Sequence, residues 1–461
     1  MPPPGRSLRG PRERCEGSRI RRFDRESLAA HGQSPLRRLA LAIAETGLNA
    51  ADGRQAVRNL VRPVTGGVEI AGQVNQLDHG SRLFVLGGGK ATLPVAQALE
   101  ETLGDRTEGG AVVLQRGHGL SLDRLEVMYA DHPLPSPDSV LAAERMVELA
   151  DGAGPQDLVI TCFTGGRSAL LCLPPPEVGF GDKRRLNELL LASGMSITKI
   201  NTVRKHVSLI KGGRLASRIA PARIVNLTVS DVAGDPLDVL ADLTTRDSST
   251  PDDALATLRD YELLGKVPAS VIRHLDSSQA TSPDLTGQSI ETVMLVNGPS
   301  VCEAMAEAAR EFELEPVIVS TTLEGEAVKV GQTLARLATE SPPGTALIGC
   351  GGESTVTLGE SAFGAGGPNQ EAALAAAKTL AGRGAAGLFI DTDGSDGGSP
   401  AAGAICDGDT AMRARERNLD LDHALAAHAS GKPLSALGDL VETGPTGTNV
   451  NDLFVIVTGE G

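Results

Sequence analysis

The stretch Arg82-Leu-Phe-Val-Leu-Gly-Gly-Gly-Lys90-Ala-Thr decides the fold. Apolar residues run straight into three glycines, a lysine follows, and residues 91–102 read as a helix, which makes a strand, a tight turn and a helix. Glycines let a backbone turn sharply and approach a ligand closely. A helix N-terminus presents unpaired N–H groups and a partial positive charge, so an anion is favoured there. Lys90 adds a full charge at the same place. The unit reads either as an anion cradle, with Gly88 and Gly89 against the ligand, or as an ordinary βα corner with a solvent-facing lysine. Its spacing fits neither the P-loop nor the dinucleotide fingerprint.

Outward from this unit the pattern repeats. Strands are predicted at 111–114, 125–129, 157–162 and 223–230, and helices at 139–150, 183–192, 200–210, 251–264 and 269–275. Residues 36–61 carry apolar positions at helical spacing and predict a helix or a helix pair. After a polar stretch at 276–287, the best linker candidate, strands at 293–296, 316–320, 346–350 and 387–390 alternate with helices at 301–311, 324–339 and 370–380. Such alternation implies an α/β protein with parallel sheets flanked by helices. In such sheets the ligand lies beyond the carboxyl ends of the strands. The loops to examine are therefore 87–90, 164–167, 231–235, 350–353 and 391–397, where glycines and acidic residues concentrate.

The composition narrows the function. The chain has 461 residues, enough for two or three domains, and few aromatics, so the core is built from Val, Leu, Ile and Ala. A net charge of −15 argues against a general nucleic-acid binder but not against a local cationic cleft for an anionic substrate. Six scattered cysteines lack zinc-like spacing and predict reduced thiols, as in a cytoplasmic protein. No apolar run reaches membrane-spanning length. Residues 1–32, with eight arginines between Arg6 and Arg25, predict a disordered basic tail.

Several residues could carry chemistry. Asp391, Asp393 and Asp396 are interleaved with glycines, a pattern suited to Mg²⁺ or a general base, or else to an Asx-rich turn whose aspartates cap a helix. Asp231 ends a predicted strand and could be a base, a ligand or a helix cap. Arg204, Lys205, Lys211 and Arg214 form a basic cluster. Arg204 and Lys211, seven apart on a predicted helix, could clamp phosphate or carboxylate, or form a solvated face. Gly351-Gly-Glu353 is a second glycine turn after a strand.

Taken together, the segments resemble one family, the glycerate 2-kinases with a C-terminal MOFRL domain, whose members often carry the name hydroxypyruvate reductase. The resemblance covers roughly residues 36–457. It rests on Gly89-Lys90-Ala, His132-Pro-Leu-Pro, Gly165-Gly166 with Ser168-Ala-Leu-Leu, Asn201-x-Val-Arg-Lys-His206 with Ile210-Lys-Gly-Gly-Arg-Leu, and Ser230-Asp-Val with Gly234-Asp235. It continues through Thr321-Thr-Leu-Glu-Gly-Glu, Gly351-Gly-Glu353, Asn369-Gln-Glu, Thr392-Asp-Gly with Asp396-Gly, and Thr443-Gly-Pro-Thr-Gly-Thr-Asn-Val-Asn-Asp452.

The resemblance implies ATP-dependent phosphorylation of glycerate at its 2-hydroxyl with Mg²⁺, by two α/β domains with the active site in the cleft between them. It implies a Rossmann-like domain at 33–285 and a MOFRL domain at 286–461. Catalytic roles fall to Lys90, Asp393 and Asp231. Substrate or nucleotide binding falls to Gly88, Gly89, Gly165, Gly166, Ser168, Arg204, Lys211, Gly351, Glu353 and Asn369, and metal binding to Asp393 and Asp396. Partners are then a small hydroxy acid and a nucleotide, with no nucleic acid and no membrane. Three places depart from the family pattern. Pro368 stands where Gly-Gly-Arg-Asn-Gln-Glu has arginine, Arg167 stands where the turn has glycine, and Ala241-Asp-Leu-Thr244 replaces a Ser-Gly-Pro-Thr string. The alternatives are a hydroxypyruvate reductase or a catalytically impaired relative that binds an anionic metabolite.

Overall fold

The structure is a computed structural model that describes residues 22–117, 122–230, 234, 242–352, 354–358 and 364–460. Three short strands, β1 (Val61–Val64), β2 (Gly67–Ile70) and β3 (Gln73–Gln76), form an antiparallel meander that the sequence reading did not name.

Six strands then build the first large sheet: β4 (Leu83–Gly88), β5 (Thr107–Gln115), β6 (Glu126–Ala130), β7 (Leu158–Phe163), β8 (Arg223–Val229) and β9 (Ile290–Val296). Their order is β6-β5-β4-β7-β8-β9 and every pairing is parallel. Strands β4 and β7 are buried along their whole length, which explains why they read as continuous apolar runs. The chain leaves β4 in one direction and returns to its other side with β7. The carboxyl ends of β4 and β7 are therefore the switch point where α/β sheets place ligands.

The second sheet is built from β10 (Glu315–Leu323), β11 (Thr345–Gly351), β12 (Ala385–Asp391), β13 (Gly403–Asp407), β14 (Leu440–Val441) and β15 (Asp452–Thr458), in the order β10-β11-β15-β12-β13-β14. It is mixed. Strands β10 and β11 are parallel, but β15 runs antiparallel to both of its neighbours and β12–β13 is an antiparallel pair. The segment joining Asp391 to Gly403 is too short for a helical crossover, so β13 must return antiparallel. Aliphatic side chains of this sheet pack with the alanine-rich helix Pro368–Thr379 into one core.

Contacts divide the chain into two units, Asp52–Asn297 with Gly447–Val450, and the remainder. This grouping differs from the predicted boundaries at both ends. Strand β9 hydrogen-bonds to β8 in parallel register, so the polar stretch before it is an excursion within the first unit. The helix Ser34–Ala50 belongs with the second sheet, where Gly47 faces Met305 and Leu453.

Residues 22–32, part of the predicted tail, are folded against the second unit. Phe23, Leu28 and Ala29 are buried, the Arg22 N–H donates to Glu45 Oε1 at 2.8 Å, and Arg25 pairs with Glu45. Three apolar side chains and one carboxylate are enough to anchor residues 22–32. Arg37 is fully buried and donates to Asp407, to Asp439 and to the Leu28 carbonyl. Among the described residues no helix is long and apolar enough to cross a membrane.

Candidate active site

The Gly87–Lys90 turn ends β4 beside the turn that ends β7. Gly89 has φ +139°, and a Cβ there would lie 2.2 Å from Thr164 Oγ1, so no other residue fits. The backbone donors that were expected to face an anion are engaged by the protein instead. Lys90 N donates to the Gly165 carbonyl at 2.8 Å, Ala91 N to Thr164 Oγ1 at 3.1 Å, and Thr92 N to the Gly89 carbonyl at 3.3 Å. The following helix, Thr92–Leu103, has Pro94 in its first turn. The turn therefore positions the half-buried Lys90 rather than offering its own N–H groups.

Gly166 lies next to Lys90 Cγ and to the ring of His132. His132, to which no role was assigned from the sequence, thus stands beside Lys90. The signal that could have found it was the unusual string His132-Pro-Leu-Pro.

Next along β7's turn, Arg167, Ser168, Lys211 and Asp242 form a network. Arg167 Nε donates to Asp242 Oδ1 at 2.9 Å and its Nη1 to the Thr164 carbonyl at 3.2 Å. Lys211 Nζ donates to Asp242 Oδ2 at 2.7 Å and to Ser168 Oγ at 2.9 Å. Lys211 does not continue a helix from Arg204, because the helix Ile197–His206 stops before it. Ser208 Oγ accepts the Lys211 N–H and bends the chain at that point. The solvated-face alternative fails too, because Arg204 is 8% exposed and Lys211 4%.

Burial lowers the Arg204 guanidinium to about 10, and Asp242 offsets only part of that shift. It also lowers the Lys211 ammonium, again against the attraction of Asp242. Asp242 is itself buried, yet Lys211 and Arg167 hold it well below the usual carboxylate range. Two of the departures from the family pattern, at 167 and 242, are therefore each other's partners.

The second unit holds the other group of expected residues. Asn369 Nδ2 donates to Asp452 Oδ1 at 2.6 Å, and Ser354 N donates to Asp452 Oδ2 at 2.7 Å. Gly351, Ser354, Asn369 and Asp452 line a small cavity whose apolar wall includes Leu323 and Val330.

Asp396 acts as a cap. Its Oδ1 accepts from Asn369 N at 2.9 Å and its Oδ2 from Gln370 N at 2.9 Å, at the start of the helix Pro368–Thr379. Burial raises its carboxyl to about 6, with Asp452 adding repulsion. Asp391 accepts the Asp393 N–H, and Asp393 accepts the Ser395 N–H, so these two make Asx turns. Asp393 remains partly exposed. Among the described residues no group of three or more His, Cys, Asp and Glu could hold a metal ion. Asp396, with both oxygens turned to the helix, does not fit the metal role expected of it. Pro368 occupies the first turn of that helix, where a missing N–H costs nothing. Asp231 and Glu353 lie outside the described residues.

The six-stranded parallel sheet with lysine and glycine at its switch point, joined to a mixed α/β unit, matches two family descriptions. Residues 39–276 match the domain of unknown function DUF4147 and residues 346–452 match the MOFRL family. The chain belongs to this DUF4147–MOFRL family, the glycerate kinase family. It is 36% identical over 436 residues to "Glycerate 2-kinase" of Pyrococcus horikoshii, covering 92% of this chain and 97% of that protein. It is 40% identical over 389 residues to a protein of Agrobacterium vitis named "Putative hydroxypyruvate reductase", covering 82% and 87%. The crystal structure of glycerate kinase from Thermotoga maritima superposes with a TM-score of 0.79 at 35% identity, covering 91% of this chain and 98% of that one.

Proposed function

We propose that this protein is a glycerate 2-kinase, transferring the γ-phosphoryl group of ATP to the 2-hydroxyl of glycerate. The observation that carries the reading is the buried cationic network of Lys211, Arg167 and Asp242 beside Ser168, at the switch point of a parallel sheet and next to Lys90. Phosphoryl transfer needs little covalent help from a protein. It needs positioned reactants and neutralised charge, which is what such a network supplies.

The glycerate 2-oxygen bonds to the γ-phosphorus, the bond to the bridging β–γ oxygen breaks, and ADP leaves. The hydroxyl proton passes to a carboxylate, for which the family resemblance offers the partly exposed Asp393. Asp231 is a second candidate on sequence grounds. Lys90, with Gly165 and Gly166 beside it, counters phosphate charge. Gly351, Glu353 and Asn369 are assigned to substrate or nucleotide binding by sequence. Mg²⁺ is usually held by phosphates plus one or two carboxylates, so Asp393 suffices on the protein side and Asp396 takes no part. The ion would offset charge on the transferring phosphoryl group. The five described cysteines are free and buried, which supports a reducing, cytoplasmic setting.

The experiment is ³¹P NMR of the full chain with D-glycerate, ATP and Mg²⁺. A 2-phosphoglycerate resonance growing with enzyme concentration is expected. Its absence, together with NAD(P)H oxidation by hydroxypyruvate, would establish the reductase reading instead. Against that reading, the β4 turn is Gly-Gly-Gly-Lys and no dinucleotide fingerprint is present. Inertness in both assays would favour an impaired relative, the reading that Pro368 supports.

A further inference from the structure

Four cations, Arg167, Lys183, Arg204 and Lys211, lie inside the first unit at 7, 3, 8 and 4% exposure. Among the described residues Asp242, 1% exposed, is the carboxylate that meets them, and it is shared by Arg167 and Lys211. The other two cations meet neutral acceptors. Lys183 Nζ donates to the Val207 carbonyl at 2.6 Å, and Arg204 Nε donates to Asn187 Oδ1 at 3.2 Å. Neither terminal nitrogen of Arg204 has a partner among the described residues.

A buried cation without a counter-charge is costly, and several together more so. The Lys183 ammonium registers this. Burial pushes it down to about 7; Cys172 pulls the other way, while the charges of Arg204, Lys211 and Arg214 push it lower still. One helical turn before Arg204, on the same face, Asn201 is buried, and its Oδ1 has no partner among the described residues. Among the described residues, then, these four cations outnumber the carboxylate that meets them, and the Asn201 acceptor has no donor.

A small hydroxy acid supplies both a carboxylate and a donor. We propose that Lys183, Arg204 and Lys211 form a receptor for the carboxylate of the acceptor acid, with Asn201 Oδ1 accepting one of its hydroxyls. Asp242 and Arg167 hold Lys211 in register for it. Lys183 is the new member, and nothing in its sequence context marks it. The assignment rests on the kinase reading for the identity of the acid, but the receptor itself follows from the charge imbalance. Phosphate at the Lys90 turn would be a separate contact.

The test uses the full chain, with thermal shift and calorimetry for four probes: D-glycerate, glycerol, inorganic phosphate and a non-hydrolysable ATP analogue. D-glycerate should raise Tm and glycerol should not. Arg204→Gln and Lys183→Met should each weaken glycerate roughly tenfold or more, the scale of one charged hydrogen bond, and leave the ATP analogue within about twofold. Unliganded Lys183→Met should melt at or above wild type, because it removes an uncompensated charge. A purely structural lysine would give a lower Tm.

Unchanged glycerate affinity in both variants overturns the proposal, as does an equal loss of the ATP analogue. If glycerate fails to bind wild type but phosphate binds with the same dependence on Arg204 and Lys183, the receptor stands and the kinase reading falls. If neither anion binds wild type, the receptor falls, and the ³¹P experiment still decides the kinase reading on its own.

Discussion

Lys183 ties protonation to folding. In the unfolded chain its ammonium titrates near 10.5, and in the fold near 7. Between those values the unfolded chain holds the extra proton, so the lysine's contribution to stability rises with pH from about 7 and levels off near 10.5. Chemical denaturation at pH 7 and pH 9 should show wild type gaining about 2 kcal/mol relative to Lys183→Met over that interval. A parallel pH response in the two proteins would refute the assignment. Asp242 gives a second prediction at this scale. Asp242→Asn leaves Arg167 and Lys211 buried without a counter-charge and should cost about 3–5 kcal/mol. Adding Arg167→Gly should recover part of the loss, and a double-mutant cycle by urea denaturation measures how much. Neither relation was legible in the sequence. For Arg204 and Lys211 the sequence left a clamp and a solvated helical face both open. Their burial comes from Asp242 and Asn187, partners at other places in the chain. Arg167 and Asp242 stood out in the sequence as separate oddities, and only their 2.9 Å contact makes them one feature.

At the scale of elements, the helix Pro368–Thr379 shows how a substitution can preserve structure while changing chemistry. Proline in its first turn is well placed, and Asp396 satisfies the next two N–H groups. Asp396→Ala would strand those donors in the interior and should cost about 2–4 kcal/mol, read by urea denaturation. Pro368→Arg should cost less than about 1 kcal/mol and return a guanidinium to the site. The expected result is a gain of roughly tenfold or more in kcat/KM for glycerate phosphorylation. No gain would mean that another cation already does that work.

The strand, glycine turn and helix around Lys90 were readable from apolar runs and glycines alone. The fate of the turn's N–H groups was not, because Thr164 and Gly165 approach only through the pairing of β4 with β7. The β1–β3 meander escaped notice because β3 is polar and almost wholly exposed. The antiparallel course of β15 is set by where the chain places it, and local composition carries no trace of that.

For the molecule as a whole, alternating strands and helices were enough to give the α/β class, and motif order gave the family. The grouping of two segments by contact was not legible. It depends on Ile290–Val296 pairing with β8 and on the N-terminal helix choosing the distant sheet. Removing residues 1–32 should therefore destabilise the second unit. It deletes Phe23, Leu28 and Ala29 from the core and takes the Leu28 carbonyl from Arg37. A loss of roughly 3–5 kcal/mol is expected, measured as a shift of the urea midpoint.

The helix Ser34–Ala50 also dictates an order of events at the ribosome. It is synthesised early but packs against Met305 and Leu453, the latter near the end of the chain. Until the chain has been made past Met305, this amphipathic segment lacks the surface it packs on, while nearly all of the Asp52–Asn297 unit has already emerged. The first unit can mature during translation. The second must wait for its later segments, so a nascent chain stalled before Met305 should display its N-terminal helix to chaperones and proteases.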